Sequence, residues 1–323
     1  MKEAVIVSAV RTTVGRAKRG SLVNVRPEDL GALVVKEILK RTPEVAPEKV
    51  DDLSLGCAMP EGSQGMNLGR VVGLMAGLPD TVPGLTVNRF CSSGLQTIAS
   101  AAMEIMAGMS DIIIAGGVES MSSVPMGGFN FSSNPWAADN MVEMYTPMGI
   151  TAELVADRFE ISREAQDEFA YNSHMKAAQA WKDGKFDDEI VPVPYVDADG
   201  NEKLLETDES VRADTTIEGL AKLKPVFKLG GSVTAGNASP INDGAAVAML
   251  MSLDKAKELG LEPMLFFRDF QVAGTPPEIM GVGPAVAIPK LWEHSGIGDD
   301  KIDLYEINEA FASQARYCGE KLE

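Results

Sequence analysis

The sequence predicts an α/β protein built on a mostly parallel β-sheet with helices on its faces. Three observations carry this reading. Short apolar, β-branched runs alternate with helical stretches along the chain. Two extended runs end in polar elbows, at Asn88-Arg89-Phe90-Cys91 and at Asn308-Glu309-Ala310-Phe311. A long excursion, residues 120–241, interrupts the alternation before it resumes, and insertions of that length between strands are usually functional.

Residues 4–9 read as the first strand. Residues 27–40 follow as a helix, with Pro27 in the first turn, where its missing N–H costs nothing. Residues 50–58 form a second strand and 67–76 a second helix. Residues 85–90 are extended and deliver Cys91 to the first turn of a helix over 93–107. In that helix Leu95, Ile98, Ala102, Ile105 and Met106 mix with alanine on nearly every side, so it is expected to be buried all round. Gly108 ends it, and residues 111–117 read as a buried strand.

From residue 120 to 148 the chain carries five Met, three Pro and many small polar residues without a clear period. Helices return at 151–159 and 162–182, the second with Ala165, Phe169, Ala177 and Trp181 on one face and Gly184 as its stop. Acidic loops fill 187–218. The sheet pattern resumes at 244–250, followed by a short helix at 254–259. A second series then begins, with strands at 264–272 and 302–307 around a helix at 284–295. The two parts read as versions of one plan, five strands in the first and two in the second.

Composition narrows the function. A chain of 323 residues with 45% hydrophobic and 24% charged residues has the make-up of an ordinary globular protein, long enough for two or more units. Against 47 Asp+Glu stand 29 Lys+Arg, a net charge of −18, which argues against nucleic-acid or anionic-membrane surfaces. The three cysteines, Cys57, Cys91 and Cys318, offer neither a disulfide framework nor metal-ligand spacing. No signal-peptide pattern and no membrane-length apolar run is present, and a reducing, cytoplasmic setting is expected.

Cys91 is the chemical candidate. A thiolate, not a thiol, is the nucleophile, and the positive end of a helix favours the anion. Ser92, Ser93 and Gly94 are small enough for an acyl carbonyl to approach the backbone. Buried packing is the competing reading for any free cysteine.

The motif Val87-Asn88-Arg89-Phe90-Cys91-Ser92-Ser93-Gly94 resembles that of the thiolases. So do Ala115-Gly116-Gly117-Val118-Glu119-Ser120-Met121-Ser122 and Met148-Gly149-Ile150-Thr151-Ala152-Glu153. Val233-Thr234-Ala235-Gly236-Asn237-Ala238-Ser239 and Asn308-Glu309-Ala310-Phe311 complete the order. On this resemblance the fold is a thiolase-like duplicated α-β-α-β-α layered core with an inserted loop domain and an incomplete second half. The implied organisation is an N-terminal half over 1–119 and 242–262, a loop domain over 120–241 and a C-terminal half over 263–323.

The resemblance implies an acyltransferase that cleaves 3-ketoacyl-CoA with CoA, or condenses two acetyl-CoA, through a cysteine thioester. Cys91 would carry the acyl group, and Asn308 would hold a water against the thioester oxygen. Coenzyme A would lie against Met148, Arg212, Leu220, Phe227, Ala235, Ser239, Ala310 and Phe311. By the same resemblance acyl-CoA and CoA would be the substrates, with no permanently bound cofactor and no metal, and the assembly would be a homodimer or homotetramer. From the residues alone, Arg212 could equally be solvated, Phe227 and Leu220 plain core, Ser239 a turn residue and Asn308 a helix cap.

Thiolases also use a histidine in Gly-His-Pro and a second cysteine in Cys-x-Gly-Gly-Gly, and neither motif occurs here. The only histidines, His174 and His294, fit surface or cap positions. The expectation is therefore a thiolase lacking its C-terminal segment, whose 323 residues alone would be inactive and not a stable monomer. Alternatives are a catalytically incomplete protein that binds CoA or a partner, a ketoacyl-synthase-like condensing enzyme, or a cysteine hydrolase using either histidine. Pro147, where some short-chain biosynthetic thiolases carry histidine, points to a general 3-ketoacyl-CoA thiolase.

Overall fold

The computed structural model describes residues 2–322. From the N-terminus, β1 (Ala4–Thr12) and β2 (Gly15–Arg16) precede α1 (Pro27–Arg41), β3 (Asp52–Gly56), α2 (Leu68–Ala76) and β4 (Gly84–Val87). Then come α3 (Ser93–Ala107), β5 (Ile112–Ser120), α4 (Pro135–Asn140), α5 (Met148–Arg158) and α6 (Arg163–Lys182). The chain continues through β6 (Ile190–Val191), β7 (Val193–Val196), β8 (Glu202–Leu205), α7 (Ile217–Ala221) and β9 (Asn242–Ser252). It ends with α8 (Leu253–Leu259), β10 (Leu265–Phe266), α9 (Gly283–Ser295) and α10 (Ala312–Leu322). These elements form two compact units, one of Met1–Phe131, Lys185–Ser210 and Ile241–Phe267, the other of Ser132–Gly184, Val211–Pro240 and Arg268–Glu323.

The first unit is a sheet in the order β10-β1-β9-β5-β3-β4, with β2 on β9 and β6 on β1. The two-residue side-chain period of its strands sorts the core onto two faces. Ile112, Ile114, Met249 and Met251 pack with Leu30, Val34 and Ile38 of α1 and Val72 of α2. Their neighbours Ile113, Ala115, Ala248 and Leu250 pack instead with Ala101, Ala102 and Ile105 of α3.

The sheet is mixed rather than mostly parallel. β3 runs parallel to β4 and β5, but β9 is antiparallel to both β1 and β5. Strand direction depends on the end from which the chain re-enters, and local periodicity carries no record of that. The helix expected to be buried all round is also one-sided. Ala99, Ala101, Ala102 and Ile105 of α3 are buried, yet Leu95 is 61% and Met103 47% exposed. A helix lying on a sheet covers one stripe only, whatever the composition of its other face.

In the second unit Val155, Ile279 and Val282 form a small buried cluster, flanked by stacked Phe159 and Tyr317 rings with centroids 3.9 Å apart. Ser162 caps α6 by accepting the Ala165 N–H at 3.1 Å. The strand read over 302–307 is irregular backbone, with Leu304 75% exposed. Of the strand read over 264–272 only Leu265 and Phe266 pair, antiparallel to β1. Extended sequence becomes a strand only where a neighbour completes its ladder.

Candidate active site

Cys91 stands at the turn between β4 and α3 and is exposed. The turn is wound tightly by its own polar groups. Asn88 Oδ1 accepts the Phe90 N–H at 2.8 Å, and Asn88 Nδ2 donates to the Ala58 carbonyl at 3.0 Å. Ser93 Oγ accepts the Arg89 N–H at 2.8 Å and donates to the Phe90 carbonyl at 2.6 Å. Phe90 is thereby held at φ +46°, the left-handed region that a bulky residue enters at a cost of about 1–3 kcal/mol. This strained residue directly precedes the thiol and turns it outward. A side chain on Gly56 would collide with the Ser93 backbone, so glycine there lets the start of α3 lie on the sheet. Beside Gly94 a cavity of about 300 Å³ opens, lined by Arg11, Ile98, Gly116 and Gly117 among others.

The other thiols are placed differently. Cys57 is buried, and burial together with the Glu119 carboxylate 3.9 Å away pushes its thiol up to about 12. Cys318 is fully buried and is likewise raised by burial. Glu119 holds the strand ends around the turn, accepting the Ala58 N–H at 2.6 Å and the Gln64 side-chain amide at 2.7 Å.

The remaining sequence-predicted site residues lie in the second unit, and most of them come together there. The Ser239 N–H donates to the Ala310 carbonyl at 2.9 Å, and the Ala312 N–H to the Asn237 carbonyl at 2.9 Å. This short ladder sets Ser239 beside Ala310 and Phe311. Phe227 meets Phe311 edge to face, centroids 6.1 Å apart, and its ring lies on Gly149, next to Met148. Leu220 is buried and presses against Gly236, beside the exposed Ala235. Arg212 and Asn308 are both exposed, Asn308 in the irregular segment before α10.

Sequence reasoning missed the polar frame beneath this cluster. The Glu153 carboxylate, 1% exposed, accepts the N–H groups of Ser232 and Val233 at 2.8 and 2.9 Å. Asp167 accepts the Asn237 amide at 2.9 Å and pairs with Arg163 at 2.7 Å. Arg163 in turn donates to the carbonyls of Leu220 and Leu223 at 2.8 and 2.9 Å. Glu153 and Asn237 stand inside the motifs, but the residues that answer them, the backbone of Ser232 and Val233 for Glu153 and Asp167 of α6 for Asn237, lie dozens of residues away. Among the described residues no group of His, Cys, Asp and Glu is placed to hold a metal ion, and no helix is long and apolar enough to cross a membrane.

Comparison with known proteins agrees with this geometry. The thiolase N-terminal domain model matches residues 4–254 and the thiolase C-terminal domain model residues 261–323. The 3-ketoacyl-CoA thiolase of Bacillus subtilis (strain 168) is 53% identical over 323 residues, 98% of this chain and 82% of that protein. The peroxisomal 3-ketoacyl-CoA thiolase A of Mus musculus is 47% identical over 325 residues, covering 99% of this chain and 76% of its own. The crystal structure of Bacillus anthracis acetyl-CoA acetyltransferase superposes with a TM-score of 0.91 at 43% identity, covering 100% of this chain and 84% of that one. An elbow cysteine on a thiolase fold, both family domains in order and close relatives along nearly the whole chain lead to one conclusion: the chain belongs to the thiolase family.

Proposed function

We propose that Cys91 is the acyl acceptor of this thiolase-type acyltransferase, with acyl-CoA and CoA as its substrates and no permanently bound cofactor. In thiolysis the Cys91 sulfur attacks the 3-keto carbon. The bond between carbons 2 and 3 then breaks, leaving an acyl thioester on Cys91 and the enolate of acetyl-CoA, which takes up a proton. The CoA sulfur next attacks the thioester and releases Cys91. Condensation is the same sequence reversed. The observation that carries the assignment is the contrast among the thiols: Cys91 is exposed at a strained elbow, while Cys57 and Cys318 are buried and held protonated.

CoA is assigned to the second-unit cluster of Met148, Leu220, Phe227, Ala235, Ser239, Ala310 and Phe311, with exposed Arg212 on its phosphates. Asn308 is assigned the water that faces the thioester oxygen. Neither Gly-His-Pro nor Cys-x-Gly-Gly-Gly occurs in the 323 residues, so the family's proton-transfer roles are given to no residue here. The family also implies a homodimer or homotetramer, checked by mass in solution; a cytoplasmic setting is proposed from the three unpaired cysteines. Residues 120–241 are proposed as the loop domain, inserted within an N-terminal half formed by 1–119 and 242–262, ahead of the C-terminal half 263–323.

Two measurements test the reading. Mass spectrometry after incubation with acetyl-CoA is expected to find the acetyl group on Cys91, and labelling of Cys57 or Cys318 with Cys91 unmodified would overturn it. In a form that also carries the Gly-His-Pro and Cys-x-Gly-Gly-Gly motifs, Cys91→Ser is expected to lose activity by a factor approaching the order of 10⁶, the scale for removing a nucleophile. Pro147 before Met148 supports a general 3-ketoacyl-CoA thiolase. Thiolysis of longer 3-ketoacyl-CoAs should then match that of acetoacetyl-CoA, and a strict four-carbon preference would refute it.

A further inference from the structure

We propose that Ser173 and His174, adjacent on α6, form a positioning site that ties the Arg212 loop and the Asn308-Glu309 elbow to one helical turn, and that His174 makes this tie sensitive to acid. The inference rests on the assignment of Arg212 to CoA and of Asn308 to the reaction centre. Neither Ser173 nor His174 lies in a motif that carries the family resemblance, and both point from the same turn towards a proposed functional loop.

His174 Nδ1 accepts the backbone N–H of Arg212 at 3.3 Å. On the other side of that residue, the Arg212 carbonyl accepts the Thr215 N–H at 3.3 Å and the Thr215 hydroxyl at 2.9 Å. The Arg212 backbone is therefore fixed from both sides, while its guanidinium stays exposed to meet an anion. One residue earlier, the Ser173 hydroxyl donates to the Glu309 carboxylate, next to Asn308. A contact with each loop thus comes from consecutive side chains on a rigid helix. That arrangement fixes a functional side chain better than either loop does alone.

The tie to Arg212 works only with a neutral imidazole. Nδ1 must offer a lone pair, and a protonated ring would set one N–H against another. The charged groups facing His174 are Arg212 and Asp214 from the loop and Glu309 from the elbow. Burial, aided by Arg212, lowers its pKa below the ordinary 6.5 despite the two carboxylates. The neutral form is therefore the resting one at neutral pH. The released loop binds the proton more readily than the held loop. Holding is consequently complete above pH 6.5 and is lost as the pH falls through that value and on towards the lower pKa of the held state.

The experiment is the pH dependence of KM for CoA and of kcat in thiolysis, between about pH 8 and about pH 5.5, in a form that also carries the Gly-His-Pro and Cys-x-Gly-Gly-Gly motifs. Wild type is expected to show KM for CoA rising about tenfold on acidification, with kcat less affected. His174→Asn keeps an acceptor at the Nδ1 position but does not titrate, so it should hold the neutral-pH KM and lose the acid rise. His174→Ala should show the raised KM throughout. Ser173→Ala should lower kcat several-fold with little change in KM. An acid rise in KM retained by His174→Asn, or a wild-type profile in His174→Ala, overturns the proposal. Arg212→Ala separates the two levels. If it leaves KM for CoA unchanged, the assignment of Arg212 to CoA fails. If it raises KM while the His174 variants behave as wild type, only the positioning site fails.

Discussion

Burial, rather than sequence context, distinguishes the three thiols. A cysteine reacts as its thiolate, so a thiol pushed up to about 12 by burial and a neighbouring carboxylate stays protonated across the working range. Iodoacetamide applied to the native protein up to about pH 9 should alkylate Cys91 and spare Cys57 and Cys318, both of which react after unfolding. Peptide mapping reads this directly, and native-state labelling of Cys57 would contradict the placement. The same scale explains what could be read in advance. The elbow around Cys91 is local, six residues from Asn88 to Ser93 whose types and order announce a turn. The contacts of Glu153 are not local: Ser232 and Val233 follow it by some eighty positions, and a carboxylate in a helix reads as a solvated face until its partners are seen. Glu153→Ala leaves buried N–H groups without an acceptor, at about 1–3 kcal/mol each. A loss of about 3 kcal/mol is expected in denaturant unfolding, and a variant as stable as wild type would show that water replaces the carboxylate.

Among the elements, helices were legible and strands only in part, for a physical reason. A helix closes its hydrogen bonds within itself, so its caps and stops are written beside it, as with Asn67 before α2, Ser162 before α6 and Gly108 at φ +75° after α3. A strand closes its bonds on another segment. Residues 302–307 carry the composition of a strand but adopt irregular backbone. The direction of β9 is likewise fixed only by its re-entry. Close approaches between elements were equally invisible, and they locate a test. A methyl group on Gly149 at the start of α5 would fall within the Phe227 ring and drive it from its edge-to-face contact with Phe311. Gly149→Ala should therefore raise KM for CoA about tenfold and cost about 1–3 kcal/mol from overpacking. Gly283→Ala is the comparison, since a methyl group there meets open space at the first turn of α9. Equal KM in the two variants would remove Phe227 from the CoA site.

At the scale of the whole molecule, two units share one chain but differ in how they are held. The first has a continuous sheet packed on both faces, with Leu30, Ile38, Leu53, Leu55, Met249 and Leu250 fully buried. Among the described residues the second has a smaller buried apolar cluster, Val155, Ile279 and Val282 with Leu154, Phe159 and Tyr317 against it, and is further held by carboxylate-centred hydrogen bonds from Glu153 and Asp167. Burial of apolar surface is worth roughly 25 cal/mol per Å², whereas a hydrogen bond exchanged with water nets only about 1 kcal/mol. Local opening should therefore be easier in the second unit. Hydrogen–deuterium exchange of the native protein should show the slowest amides in β5 and β9. Exchange should be faster in α7, in residues 222–240 and in 302–311. On the proposed assignment of CoA to the second-unit cluster, adding it should slow exchange mainly in those second-unit segments, in proportion to saturation. Uniform protection across both units, unchanged by CoA, would mean that the polar frame is as rigid as the sheet and that the cluster around Phe227 and Phe311 does not receive the ligand.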